Sequence, residues 1–240
     1  MSFHYEVIPQ YRDADPDCLV GLRGYTHYCQ DAHTYYMCSI NKGNDVLPKQ
    51  YGAGWVYTRY HVHFLEKADF SGPIEMQVWM EPYHQPILAN IDLLLTREDR
   101  LIAEARIECC VFSLTRQRPL RFSAIELPEK LPEEIPNTIP DFFAVDKTAE
   151  GMTERYRRTV RYSDLDVMGH MNNLRYIEMF QDAYPRAFWE RLSPDNMQIN
   201  FLSQSREGET LSVCAKEENG TVTMAAVHED GRLAAMAVFC

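Results

Sequence analysis

Residues 11–32 read YRDADPDCLVGLRGYTHYCQDA, and residues 162–183 read YSDLDVMGHMNNLRYIEMFQDA. A constant offset of 151 lays Tyr11 on Tyr162, Asp13 on Asp164, Asp15 on Asp166 and Tyr25 on Tyr176. The same offset lays Gln30-Asp31-Ala32 on Gln181-Asp182-Ala183, so seven of these 22 ungapped positions are identical. A second echo pairs Glu98-Asp99-Arg100-Leu101 with Glu229-Asp230-Gly231-Arg232-Leu233, each ahead of a strand-like run. Self-similarity at a fixed offset means that one supersecondary unit is used twice.

Each copy reads as an Asp-rich loop, a helix and then several strands. Leu22, Tyr25, Cys29, Ala32, Tyr36 and Ile40 recur at three- and four-residue steps, which puts them on one helical face. Leu174, Ile177, Phe180, Tyr184 and Phe188 do the same in the second copy, where Pro185 kinks the helix or starts a new turn. Strand patterns follow at 55–64, 75–79, 89–96 and 101–114, and again at 197–204, 209–216, 221–228 and 232–240. Asn219-Gly220 and Asp230-Gly231 are hairpin turns between the last three, as in an antiparallel meander. The predicted class is α+β, with a long helix of about 18 residues lying on a curled sheet in each copy.

Between the copies, Pro128, Pro132, Pro136 and Pro140 alternate with glutamates. Proline at that spacing forbids a helix and offers a sheet no donors. We therefore expect residues 1–122 to form an N-terminal domain, 123–150 a Pro-rich linker and 151–240 a C-terminal domain.

The chain has 240 residues, 45% hydrophobic and 25% charged, the composition of an ordinary globular protein. It lacks both a membrane-length apolar run and a signal-peptide pattern, so a cytoplasmic location with no membrane association is expected. A net charge of −11 argues against nucleic acid, whose phosphates it repels. The seven cysteines are scattered without a CxxC pair, so they read as reduced thiols rather than zinc ligands. His61-Val62-His63 places two imidazoles on one strand face but lacks a third ligand, and no metal is expected. The basic runs Arg116-Gln117-Arg118 with Arg121, and Arg155-Arg157-Arg158-Arg161, suit either strand-edge ion pairs or an acidic partner.

The densest polar cluster is Ser163-Asp164-Leu165-Asp166-Val167-Met168-Gly169-His170-Met171-Asn172-Asn173, where a strand hands over to the second helix. Asn172 or Ser163 can cap that helix, and Asp166 can complement its dipole. A cap needs only one such side chain, and here there are several. Unpaired amides near Asn172–Leu174 can hold developing negative charge. A carboxylate just upstream can deprotonate water or attack directly, and His170 can orient it or protonate a leaving group. A base beside an oxyanion site suits acyl transfer. GxSxG, HExxH and GxGxxG are all absent.

The pattern Asp164, Asp166, Gly169, His170, Asn172, Asn173, Tyr176 resembles the hotdog-fold thioesterases. The chain is similar from end to end to bacterial acyl-acyl carrier protein thioesterases, which are tandem (double) hotdogs with two long helices, each wrapped by a curled antiparallel sheet. Gly54-Trp55-Val56 with Arg59, and Arg118-Pro119-Leu120-Arg121, support this. The resemblance implies hydrolysis of a fatty acyl thioester on acyl carrier protein, with no cofactor. It makes Asp166 the base or nucleophile and His170 its activator, and leaves Gln204 to orient water. Met168, Asn172 and Asn173 would contact substrate. Plant-type relatives carry Asn at the Met168 position, Glu at that of Gln204 and Cys at that of Ser205. Leu19 replaces His170 in the first copy, so one active site is expected, in the C-terminal half. The N-terminal half would form the acyl tunnel, with Tyr25, Tyr28, Tyr35, Tyr36 and Met37 as its lining. The rival readings are an acyl-CoA thioesterase and a catalytically impaired acyl-binding protein. Pairing into a homodimer is left open, since two copies already make a pseudo-dimer.

Overall fold

The computed structural model describes residues 2–82, 85–127 and 139–240. The chain divides into two compact units, Met1–Pro140 and Asp141–Cys240. Within the stretch read as a linker, residues 128–138 lie outside the described residues. Phe122 and Ile125 are buried in a short 3-10 turn, so the first unit continues past residue 122.

The first unit contains β1 (Phe3–Val7), α1 (Leu22–Ser39), α2 (Leu47–Tyr51), β2 (Ala53–Phe64), β3 (Ile74–Met80), β4 (Ala89–Arg97), β5 (Arg100–Ser113) and β6 (Arg118–Leu120). Its strands pair in the order β1-β3-β4-β5-β2, all antiparallel, with β6 on β5. The second contains β7 (Thr153–Thr159), α3 (Asn173–Gln181), α4 (Arg186–Leu192), β8 (Asn196–Phe201), β9 (Thr210–Glu218), β10 (Thr221–His228) and β11 (Leu233–Phe239). It runs β7-β9-β10-β11-β8, again antiparallel. In both units the order is first, third, fourth, fifth, second, so the sequence repeat is also a topological one.

Residue alternation explains the sheets. On β5, Ala103, Ala105, Ile107, Cys109 and Val111 are buried and supply an apolar face. Glu104, Arg106 and Glu108 alternate with them and are nearly as buried, so each carries a partner. Arg106 donates to both oxygens of Asp92 at 2.8 Å, and Arg59 pairs with Glu108. His63 pairs with Glu104 at 3.4 Å, and among the described residues no group of three ligands could hold a metal. The turn at Asn219-Gly220 has φ of 49° and 80°, the left-handed pair that a two-residue hairpin needs.

Helix α1 runs for the expected 18 residues and buries Tyr25, Tyr28, Cys29, Ala32, His33, Tyr36 and Met37. Tyr35, expected in the tunnel lining, is 51% exposed and stacks on Tyr5. The second long helix is instead two short ones. Pro185 has no N–H to extend the ladder and occupies the N-cap of α4. Tyr184 stacks on Phe188 at 3.8 Å across that corner, and Trp189 Nε1 donates to the Gln181 carbonyl. No described helix is long and apolar enough to cross a membrane.

Candidate functional site

Five ties shape the loop between β7 and α3. Asp164 is buried, and its carboxylate accepts from Arg161 N at 2.8 Å and from Arg158 at 2.5 Å. Its carbonyl accepts from Asn172 N at 2.8 Å, while Leu165 bridges Met171. Residues 166–170 are thereby pinched into a tight loop, closed by Asp166 N donating to His170 O at 2.9 Å. Gly169 sits at φ 75°, where any Cβ is strained. Asp164 is therefore a structural acid, and Asp166 is the one the loop presents.

The Asp166 carboxylate is half-buried. Its Oδ1 accepts from Met168 N at 2.8 Å and from His170 N at 3.4 Å. Among the described residues, Oδ2 has no protein partner. One oxygen is thus clamped by two amides, and the other is available to a water or an electrophile. His170 is also half-buried, and its ring has no side-chain partner among the described residues. Met168 is 43% exposed and Val167 is 97% exposed, so both stand at the open side of the loop.

Two expected roles change. The Asn172 side chain caps α3 by accepting from Leu174 N at 2.9 Å, and Asn172 N is bound to Asp164 O. Two of the three amides expected to be unpaired are therefore occupied, and Asn173 N–H is the one left among the described residues. Strand β8 ends at Phe201, so Gln204 lies beyond it, exposed, with no hydrogen bond to Asp166 or His170. The residue that reaches the loop is the next one. Ser205 is fully buried; its carbonyl accepts from Met171 N at 2.8 Å and its hydroxyl accepts from Tyr176 at 2.7 Å. Burial pushes the Tyr176 phenol up to about 12, so it stays a neutral donor. Tyr176 was legible in the motif, but its partner was not.

The first copy provides an internal control. Asp15 N donates to Leu19 O at 2.9 Å, Ala14 bridges Val20, Gly21 N donates to Asp13 O, and Val20 N donates to Ala68 O. Cys18 stands at φ 64° where Gly169 stands in the second copy. The loop is the same, and the chemistry differs. Asp15 is folded back over Gly21, where a Cβ would come within 2.3 Å of its carboxyl carbon. Burial there raises its pKa, with Lys67 opposing. Asn172 has a Cβ at that position, which closes the inward pose to Asp166. Leu19 offers no imidazole.

Of the basic runs, Arg155, Arg157 and Arg158 are paired with Glu217, Glu154 and Asp164. Arg116, Arg118 and Arg121 remain exposed.

Residues 146–235 match the family model of the acyl-ACP thioesterase C-terminal domain. An acyl-ACP thioesterase from Bacteroides thetaiotaomicron superposes with a TM-score of 0.78 at 18% identity, covering 99% of this chain and 96% of that one. The 12:0-ACP thioesterase from Umbellularia californica superposes with a TM-score of 0.80 at 15% identity, covering 99% and 96%. No curated protein matches this sequence. At these identities the structural likeness establishes the fold.

Proposed function

We propose, from the chain's membership in the acyl-ACP thioesterase family, carried by residues 146–235, that it hydrolyses fatty acyl-acyl carrier protein to a free fatty acid and the carrier. It is a thioester hydrolase with a hotdog-like fold. The observation that carries this reading is the Asp166 carboxylate, whose Oδ1 is held by the Met168 and His170 amides and whose Oδ2 has no protein partner among the described residues.

In the proposed reaction the thioester carbonyl lies over the start of α3, where Asn173 N–H receives the developing oxyanion. Asp166 Oδ2 takes a proton from water as the water oxygen attacks the carbonyl carbon. The tetrahedral intermediate expels the thiolate, and His170 relays to it the proton that Asp166 took from water. A thioester is already activated, so these groups suffice. Asn172 acts as the cap that sets the α3 amides, and Met168 borders the approach to Asp166. Gln204 takes no part in this version. Tyr25, Tyr28, Tyr36 and Met37, on the buried face of α1, belong to the core of the N-terminal unit.

Thiol release from acyl carrier protein and acyl-CoA panels tests this directly. Asp166→Asn and His170→Ala are each expected to lower turnover at least about tenfold with the fold intact. Unchanged hydrolysis by both variants rejects the site. Acyl-CoA turning over faster than matched acyl carrier protein would reassign the carrier.

The exposed Gln204 favours one second reading, a protein that binds acyl groups without cleaving them. Purified protein that retains acyl ligand and never releases thiol would establish it.

A further inference from the structure

Three side chains, two in the 202–209 loop and one at the end of β10, form an arrangement that the thioesterase reading does not use. Ser203 Oγ lies 3.0 Å from His228 Nε2, and His228 Nδ1 lies 3.4 Å from Glu209 Oε2. We propose that Ser203, His228 and Glu209 form a second acyl-transfer centre, in which Ser203 is a nucleophile for activated acyl esters.

Each member is held by backbone. Ser203 N donates to Ala234 O at 3.1 Å, just past β8. His228 ends β10, and its N–H donates to Arg232 O at 2.8 Å. Glu209 precedes β9, and its carboxylate accepts from Arg206 N at 3.1 Å. The imidazole is nearly buried, at 6% exposure, while the Glu209 side chain is 39% exposed and Ser203 half-buried. The base is thus fixed in place, and Ser203 is a partly exposed residue.

With Nδ1–H directed to Glu209, the Nε2 lone pair faces Ser203. The Ser203 hydroxyl also lies 2.8 Å from Leu233 O, so its one proton has two acceptors and turns to Nε2 for catalysis. A developing oxyanion needs donors close by. The N–H groups of Gln204 and Ser205, immediately after the nucleophile, have no hydrogen-bond partner among the described residues. An amide one residue beyond a serine nucleophile is where such donors are useful. The chain order is Ser, Glu, His, and the arrangement is recognised by geometry rather than by a sequence motif.

The step balances. Ser203 Oγ bonds to the acyl carbon as its proton passes to His228 Nε2. The C–O bond to the leaving alcohol then breaks, and His228 returns the proton to that oxygen. Water, deprotonated by His228, attacks the acyl-serine, releasing the carboxylic acid and restoring the hydroxyl. Because Ser203 and Glu209 are partly exposed, the substrate class is a small activated ester rather than a long buried chain.

The test uses the full-length protein with a fluorophosphonate probe, peptide mass mapping and the initial burst of nitrophenol from 4-nitrophenyl acetate. A single adduct on Ser203 is expected, absent in Ser203→Ala. Labelling in His228→Gln is expected to be slower by about 10²-fold or more, and Glu209→Gln slower by about tenfold. Thermal melts identify any variant that fails to fold, in which case the other base-side variant decides. No adduct, an adduct elsewhere, or Ser203 labelling at the same rate in a folded His228→Gln or Glu209→Gln overturns the proposal.

Discussion

Gly21 and Gly169 illustrate how one repeat acquires one reactive acid. Gly169 needs its φ of 75°, and a Cβ there would meet nothing within 4 Å. Gly169→Ala is therefore expected to cost only the left-handed backbone penalty, about 1 kcal/mol, read from urea unfolding. Gly21 has an ordinary φ of −86°, yet its Cβ would run into the Asp15 carboxyl. In Gly21→Ala the carboxylate is expected to swing outward, as Asp166 does, and its raised pKa to fall toward the usual range. NMR titration of the Asp15 carboxyl checks this; an unmoved pKa in a folded variant would show that the glycine does not hold the inward pose. At this scale the polar loop that carries Asp166 and His170 was legible, because loop polarity and spacing are properties of the sequence. The Asn172 cap was legible only as one of two readings, since a carboxamide before a helix suits a cap or a substrate equally. Gln204 was misplaced because strand patterning ran past Phe201, whereas the ladder stops there and turns the residue out to solvent.

Helix and strand periodicity identified most elements and failed where tertiary contacts decide. The apolar face Leu174, Ile177, Phe180, Tyr184, Phe188 continues through the break between α3 and α4, so period alone reads it as one helix. Pro185 marked the break, and the Tyr184–Phe188 stack with the Trp189 bond to Gln181 O fixes its angle. Pro185→Ala is therefore expected to leave two helices and to lose only about 0.5–1 kcal/mol, through a freer unfolded chain. Chemical denaturation with backbone NMR shifts checks it, and a continuous helix across residues 182–185 would contradict it. Strand β1 escaped the sequence reading, since five residues of alternating pattern carry little signal until β3 is there to pair with. Ser203, Glu209 and His228 likewise share no spacing that could be read; they meet only when the β10–β11 turn folds beside the 202–209 loop.

At the scale of the whole molecule, duplication supplies two units of one strand order whose Asp-rich loops carry different residues. The first unit buries a titratable group on α1. His33 is 1% exposed, and its Nδ1 bonds the Tyr57 hydroxyl at 2.7 Å. Burial drives its pKa down to about 3. Between that value and the ordinary value near 6.5, the unfolded chain binds a proton that the folded chain refuses. Acidification through this window therefore favours unfolding, by up to about 1.4 kcal/mol per pH unit from this group. Unfolding free energies of wild type and His33→Gln across pH 4–7 should converge toward low pH, and parallel curves would remove His33 from the account. The repeat made the doubled architecture legible from two quoted segments alone, because a duplicated topology leaves its mark in sequence.

The most direct test of the account is thiol release from a fatty acyl-acyl carrier protein by the wild-type chain and by Asp166→Asn, with melts confirming that both are folded. Steady release by the wild type and a loss of at least about tenfold in the variant are predicted. Equal release by the two proteins would contradict the assignment of Asp166 as the reacting acid.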